Sequence, residues 1–182
     1  MTSHRIRPDF GDEAQGVNGG HMLEIMPKYA IAEIERRWLV DATAVGSLAH
    51  IQCRHYEDLY IDSSRLRLRK ITGPNASALY KLGKKYGKRS TLSEPITTIY
   101  LNETEYGQLC HLPGSTASKR RYTIAGGSLD VYEQPISGLM IFELEFESEE
   151  TAREYLPPPF VTREITDEAA YSGFQLARGH AT

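Results

Sequence analysis

Residues 33 to 40 carry charged side chains at alternating positions. In an extended strand successive side chains point to opposite faces, so Glu33, Glu35 and Arg37 share one face and Trp38 lies on the other. Two carboxylates and a cation on one surface need either water or partner charges, because an ionised group that is buried alone is strongly destabilising. This strand is therefore a candidate for binding chemistry if other strands supply the partners.

Four further stretches of the sequence also carry one ionic face. They are Arg65/Arg67/Arg69, Lys84 with its neighbours Lys81 and Lys85, Lys119/Arg121, and Glu143/Glu145/Glu147. For any one of them a solvated outer face is the simpler interpretation, since antiparallel sheets commonly expose one polar face to water. All of them together favour a closed sheet whose ionic faces point into its lumen.

The acidic sets lie on the first and the last long strand, and the basic sets lie between them. A closed barrel brings its first and last strands together, which gathers their carboxylates into one cluster. The cluster comprises Glu33, Glu35, Glu143 and Glu145. Close carboxylates repel one another unless cations are present, and hard ions such as Mg²⁺ or Mn²⁺ prefer oxygen ligands. Since the facing Arg and Lys side chains suit phosphate oxygens, the pattern predicts a polyphosphate site.

Turn signals divide the chain into about eight strands and two or three brief helices. The strands are expected near residues 29–40, 50–61, 65–69, 78–86, 96–101, 117–124, 128–133 and 139–147. Asn102 and Glu105 form a capping box that predicts a helix over 103–112, and Ser148 predicts one over 149–155. Thr166-Asp167-Glu168 predicts the cap of a last helix. We therefore expect a mainly β (α+β) fold, an eight-stranded antiparallel closed barrel with a few short helices outside.

The overall composition is that of a soluble globular protein, with 40% hydrophobic and 25% charged residues. A formal net charge of -3 gives no general attraction to nucleic acid or to a membrane surface, so neither is expected as a partner. Two cysteines and the lack of a long apolar run indicate a reducing, cytoplasmic setting. We expect a flexible arm over residues 1–28, one domain over 29–180, and a monomer or homodimer.

Several other catalytic patterns are absent from the sequence. The six histidines form no i, i+3 or i, i+4 pair of the kind that binds metals on a helix. There is no Gly-x-x-x-x-Gly-Lys loop and no Gly-x-Gly-x-x-Gly, which excludes Walker-type and dinucleotide-binding proteins. Gly126-Gly127 indicates a hairpin turn.

The charged motifs resemble those of the triphosphate tunnel metalloenzymes, also called CYTH proteins, over about residues 30–176. The hallmark Glu-x-Glu-x-Lys of that family is matched by Glu33-Ile34-Glu35-Arg36-Arg37, with Arg in the place of Lys. The other matching stretches are Leu66-Arg67-Leu68-Arg69, Tyr80 to Lys85, Lys119-Arg120-Arg121-Tyr122, Leu129-Asp130-Val131 and Phe142-Glu143-Leu144-Glu145-Phe146. The tail from Pro157 to Ala177 is similar to that of the short bacterial members.

The resemblance implies an eight-stranded antiparallel tunnel whose basic wall binds a triphosphate and whose glutamates hold Mg²⁺ or Mn²⁺. The implied metal ligands are Glu33, Glu35, Asp130, Glu143 and Glu145. The implied phosphate contacts are Arg67, Arg69, Lys84, Lys119 and Arg121, and catalytic roles fall on Glu33, Glu35 and Arg37.

The activity that this resemblance implies is metal-dependent hydrolysis of a triphosphate, with inorganic tripolyphosphate first and nucleoside triphosphates next. One alternative is a class IV-type adenylate cyclase that makes cyclic AMP from ATP, and another is a non-catalytic nucleotide or polyphosphate sensor. Two departures from the family pattern bear on the choice. Arg37 does not lose its proton as a lysine can, and Thr97-Thr98 lies where several short bacterial members carry a Glu-x-Glu pair.

Overall fold

A computed structural model describes residues 26–180, and most of its regular structure is β-strand. The strands are β1 (Ile31–Val40), β2 (Cys53–Ile61), β3 (Leu66–Thr72), β4 (Ala78–Lys85), β5 (Ser93–Leu101), β6 (Gly114–Ile124), β7 (Gly127–Gln134), β8 (Met140–Glu145) and β9 (Val161–Glu164). The helices are α1 (Ala42–Val45), α2 (Glu103–Leu109), α3 (Glu149–Glu154) and α4 (Gly173–Ala177), with a 3-10 helix at Ala169–Tyr171. Most of the predicted arm over residues 1–28 lies outside the described residues.

Eight of these strands close into an antiparallel barrel. Hydrogen-bonded neighbours follow the order β5-β4-β3-β2-β6-β7-β8-β1, and the pairing of β5 with β1 completes the ring. The first half of β1 pairs with β5, while β9 pairs with the second half of β1 on the same edge. The expected eight-stranded closed barrel with short helices is therefore confirmed.

The outer face of β1 and β8 carries an aromatic core. Trp38 is 2% exposed, and its ring lies 5.9 Å from both Phe142 and Tyr155, centroid to centroid. Phe142 also makes an edge-on contact with Phe160 at 5.3 Å. Because these strands place their apolar residues outside, their alternate, charged residues are left facing the lumen.

A second apolar cluster lies where the chain returns across one end of the barrel. Its buried members are Tyr132, Ile141, Ile165, Tyr171 and Leu176. We call residues 165–177 the C-terminal segment. Hydrogen bonds with Arg37 tie it to β1: Ile165 N donates to Arg37 O at 2.8 Å, Arg37 N donates to Thr166 Oγ1 at 3.0 Å, and Arg37 Nη2 donates to Tyr171 O at 2.7 Å. The segment thus covers the end of the barrel at which β2 ends and β3 begins.

Two of the three predicted helix caps are present in the structure, and the third is not. The capping box of α2 is present, since Asn102 Oδ1 accepts from Glu105 N at 2.9 Å and Glu105 Oε2 accepts from Asn102 N at 2.8 Å. Ser148 caps α3 as expected. The cap expected at Thr166-Asp167-Glu168 is wrong: Ser172 caps α4, because the Thr166 hydroxyl is engaged by the Arg37 backbone N–H at 3.0 Å.

Two short elements, α1 and β9, have no counterpart among the predicted strands and helices. Both span only four residues, too few for a hydrophobic period to register in the sequence. Within residues 26–180, no helix has the length and apolar character needed to cross a membrane.

Candidate active site

The barrel encloses a cavity of about 600 Å³ that the C-terminal segment closes at one end. The acidic side chains that line it are Glu33, Glu35, Glu94, Glu143, Glu145, Asp167 and Glu168. The basic ones are Arg37, Arg65, Arg67, Arg69, Lys85, Lys88, Lys119 and Arg121. Most members of the ionic faces that the sequence indicated therefore line the lumen, and the exceptions are Lys81, Lys84 and Glu147.

Strand pairing brings the acidic side chains of the first and last barrel strands together. Glu35 lies opposite Glu145 in the β1–β8 register, and Arg37 lies opposite Glu143. On the other edge of β1, Glu33 lies opposite Glu94 of β5. Glu94 has no recognisable signal in the sequence, because it stands before a proline in a strand without an alternating charge pattern.

Lys85 lies in the middle of this acidic group. Its Nζ is 2.5 Å from Glu33 Oε2, 3.4 Å from Glu94 Oε2 and 3.9 Å from Glu35 Oε1. We call Glu33, Glu35, Glu94 and Lys85 the carboxylate cluster. The surrounding carboxylates raise the pKa of Lys85 even though burial opposes its charge, so the ammonium remains protonated at neutral pH.

Lys84 does not reach the cavity, contrary to the expectation that it contacts phosphate. It is exposed on the outer face, where its Nζ lies 5.1 Å from the centre of the Tyr86 ring. The reason is the phase of β4: Gly83 and Lys85 point inward, so the residue between them must point outward. Because Lys84 and Lys85 are adjacent, the sequence alone was compatible with either lysine pointing into the lumen.

Glu35 is the carboxyl group of this acidic cluster whose pKa is raised. Burial raises the pKa of its carboxyl, and repulsion by Glu143 and Glu33 adds to this, while Lys85 and Arg37 act in the opposite direction. A carboxylate held in this way gains from any cation that approaches it. The repulsion that the sequence analysis expected among close carboxylates is therefore present at this residue.

Glu143 has a different environment from that of the carboxylate cluster. Its Oε1 accepts from Arg37 Nε at 3.2 Å and its Oε2 accepts from Arg121 Nη2 at 2.5 Å. Burial opposes its ionisation, but Lys119, Arg121 and Arg37 outweigh burial and hold the pKa of Glu143 well below its usual range. Both oxygens of Glu143 are thus paired with arginine side chains, and its role as a metal ligand stays a prediction.

Asp130, expected to be a further metal ligand, is fully buried beneath the cavity-lining Lys119 and Arg121. It accepts from Arg121 Nε and Nη2, both at 2.6 Å, and forms an ion pair with Lys119. Both of its oxygens are engaged by these two cations and it does not line the cavity, so its role as a metal ligand stays a prediction.

Arg69 is likewise committed to a carboxylate of the barrel. Its Nε and Nη2 donate to the two oxygens of Asp58 at 2.5 and 2.7 Å, a bidentate pair buried in the wall. Burial opposes the ionisation of Asp58, but Arg69, with smaller contributions from Arg67 and Lys119, lowers the pKa of Asp58 to about 2. Asp58 was not recognised in the sequence, because its partner became evident only from the β2–β3 register.

Arg65 and Arg67 differ from the other basic residues of the cavity. Each of the others lies within 4.0 Å of a carboxylate oxygen, and these are Arg37, Arg69, Lys85, Lys88, Lys119 and Arg121. Among residues 26–180, no such partner is found for Arg65 or Arg67, and the buried Nε of Arg67 has no hydrogen-bond partner. These two guanidinium groups are therefore available to an incoming anion.

The β4–β5 loop, residues 86–92, joins the C-terminal segment at the closed end. Lys88 Nζ donates to Thr166 O at 2.8 Å and to Asp167 Oδ1 at 3.1 Å. Nearby, the Tyr60 and Phe174 rings meet edge-on at 6.3 Å. Lys88, Tyr60 and Phe174 all line the cavity, but their roles depend on tertiary contacts that no sequence motif records.

The carboxylate cluster must be judged against the metal that the resemblance implies. Among residues 26–180, no group of three or more Asp, Glu, His or Cys side chains is arranged to hold a metal ion. The ammonium of Lys85 lies between the carboxylates and contacts Glu33 Oε2, but three carboxylates around one ammonium leave a net negative charge. In chemistry and charge, though not in their present arrangement, these oxygen donors suit a hard divalent cation.

Comparisons with known proteins agree with this fold and cavity. No family model matches the sequence. An inorganic triphosphatase from Nitrosomonas europaea is 31% identical over 154 residues, which cover 81% of this chain and 97% of the relative. Two crystal structures of the protein NE1496, one of them described as an inorganic triphosphatase, superpose with a TM-score of 0.51 at 25% identity, over 80% of this chain and 97% of theirs.

The closed barrel and its charged lumen define a tunnel protein, in which a carboxylate cluster and uncommitted arginines share one cavity. The similarity to the Nitrosomonas europaea protein extends over nearly its whole length. The chain belongs to the tunnel enzyme family of this inorganic triphosphatase.

Proposed function

We propose that this protein hydrolyses triphosphates inside the tunnel, with inorganic tripolyphosphate as the first substrate and nucleoside triphosphates as the next. The name of the Nitrosomonas europaea relative supports an inorganic substrate. The observation that carries the proposal is the presence, in one cavity, of two uncommitted arginines and an acidic cluster with net negative charge. Within the family, we place the chain among the short bacterial CYTH proteins.

In this proposal Arg65 and Arg67 bind the oxygens of the polyphosphate. Guanidinium groups suit this task because they present several N–H donors in a fixed plane. The basic residues that are already paired with carboxylates shape the positive wall and stabilise negative charge from a distance. They are Arg37, Arg69, Lys119 and Arg121. Lys85 takes the phosphate-facing position on β4 that the sequence analysis gave to Lys84.

We further propose that Glu33, Glu35, Glu94 and Glu145 hold a divalent cation, Mg²⁺ or Mn²⁺. When bound, such a cation would neutralise phosphate oxygens and assist the attack of water on a phosphoryl group. Lys85 and such a cation would compete for the same carboxylate oxygens, and a Lys85 ammonium displaced from them would be available to the substrate. The barrel wall and the C-terminal segment exclude bulk water from the reacting groups.

For Arg37 we propose a positioning role instead of a catalytic one. It is 8% exposed, and its guanidinium bonds Glu143 Oε1 at 3.2 Å and Tyr171 O at 2.7 Å. It therefore links the barrel wall to the C-terminal segment that closes the cavity. Because its donors are engaged in this link, proton transfer by Arg37 is not required by the proposal.

The test measures phosphate release from tripolyphosphate and ATP in the presence of Mg²⁺ or Mn²⁺, with EDTA as the metal-free control. We expect turnover of tripolyphosphate that EDTA abolishes and that Glu33→Gln reduces by roughly 100-fold or more. The matched control is Glu57→Gln on the outer face of β2, where the side chain pairs with Lys70 at the surface, and it should retain full activity.

The products distinguish the alternatives. Cyclic AMP with pyrophosphate in the ATP reaction would replace the hydrolase by a cyclase. Thermal stabilisation by tripolyphosphate without any turnover would instead identify a sensor, because a ligand that binds only the folded state raises its stability.

A further inference from the structure

Gly83 is a glycine in the middle of a central barrel strand, where this residue type is unfavourable. Glycine weakens a strand because it has more conformational freedom to lose and no side chain to pack. Within β4 it lies on the lumen face, two residues before Lys85, and it lines the cavity. Some feature of the molecule must therefore favour the absence of a side chain at this position.

The usual structural reasons for a strand glycine do not apply to Gly83. Its φ is not positive, so its backbone conformation is open to other residues. The registers with β3 and β5 run through it without a bulge. A Cβ built here would meet Thr98 Oγ1 at 3.8 Å and Ile96 Cδ1 at 3.9 Å, which are ordinary van der Waals contacts. A methyl group would therefore fit against the wall.

What remains is the space above Gly83, which opens into the cavity. A glycine in a strand often marks a place where a ligand approaches the backbone closely. Directly opposite Gly83 in the β3 register is Arg67, whose buried Nε has no hydrogen-bond partner among the described residues. Directly opposing side chains on neighbouring strands start about 5 Å apart, so the Arg67 side chain starts beside the gap, and both residues line the cavity.

We propose that Gly83 is a specificity-determining residue, and that the gap above it holds a phosphoryl group of the substrate beside Arg67. This inference rests on the proposed function, since the ligand is a polyphosphate. The gap is as deep as the side chain that is missing, so its effect on substrate binding should depend on the size of any residue introduced there. A larger side chain displaces the phosphoryl group from Arg67, although it increases the stability of the strand.

The experiment compares Gly83→Ala and Gly83→Val with the wild-type protein. We expect the Tm to be unchanged or to rise by roughly 1–4 °C, because glycine is replaced by a residue better suited to a strand. The kcat/KM for tripolyphosphate should fall by roughly 10-fold in Gly83→Ala and by roughly 100-fold in Gly83→Val, since an ångström of displacement costs about that much. Gly107→Ala is the control, because a Cβ there has nothing within 4 Å.

The outcomes separate this inference from the proposed function. Wild-type turnover together with a Gly83→Val variant whose kcat/KM stays within about twofold would overturn the role of Gly83. A loss of activity that is accompanied by a fall in Tm of several degrees would also overturn it, since the position would then be structural. If the wild-type protein hydrolyses no triphosphate, the hydrolase proposal fails, and the thermal shift caused by tripolyphosphate still tests the gap. Loss of that shift in Gly83→Val supports the gap, and an equal shift refutes it.

Discussion

Arg67 and Arg69 lie two residues apart on the same face of β3, yet their environments predict opposite consequences for the same substitution. Arg67→Met removes a guanidinium that has no carboxylate partner among the described residues. We expect it to lower kcat/KM for tripolyphosphate by roughly 100-fold, the usual cost of losing a donor to a developing anion, and to change the free energy of unfolding by less than about 1 kcal/mol.

Arg69→Met instead leaves the carboxylate of Asp58 buried without its partner. The lowered pKa of Asp58, from 3.8 to about 2, corresponds to about 2 kcal/mol of stabilisation of the charged form. Breaking a buried pair also exposes the cost of the orphaned charge, so the expected loss of unfolding free energy is about 3–5 kcal/mol. The double variant Asp58→Leu/Arg69→Met removes both charges and should recover most of this loss.

Urea denaturation followed by circular dichroism measures these differences, and phosphate release measures activity for the same preparations. The reasoning would be refuted if Arg67→Met were destabilised as much as Arg69→Met. It would also be refuted if the double variant were no more stable than Arg69→Met alone, because the cost would then not come from an unpaired Asp58.

Three further predictions concern stability. Since the pKa of Asp58 is lowered in the folded state, its contribution should be complete above about pH 4 and disappear as the pH falls through about 2, measured as the pH dependence of the unfolding free energy that Asp58→Leu/Arg69→Met lacks. Trp38→Ala should cost about 3–5 kcal/mol in urea denaturation, because Trp38 is 2% exposed within the outer aromatic core. Gly173→Ala should lower stability by about 1–3 kcal/mol, because its Cβ would lie 1.9 Å from Tyr60 Oη, whereas Gly107→Ala should not.

The barrel itself could be predicted from the sequence because period-two alternation is a local signal. Each ionic face was visible from a few residues, and closure was predicted from about eight short strands whose ionic faces together favour a common lumen. The capping box of α2 is equally local, since Asn102 and Glu105 interact across three residues. Such patterns can be predicted from the sequence because they depend only on residues that are close together in the chain.

The partners of the charged side chains could not be predicted in the same way. Whether Arg67 is free and Arg69 is paired depends on Asp58, which reaches β3 only through the strand register. Likewise, Lys84 and Lys85 are adjacent lysines, and only the inward position of Gly83 fixes which of them faces the cavity. Sequence motifs thus indicated which strands line the tunnel but not which charges remain available inside it.

The ion pairs of the tunnel wall also affect which anions can bind in the lumen. A lumen of unpaired arginines and lysines would collect chloride, carboxylates and single phosphates, all of which abound in a cell. Because most of its cations already hold a carboxylate of the chain, a visitor must compete with those fixed anions. We expect a chain of several phosphates to compete better than a single small anion, because it carries more charge.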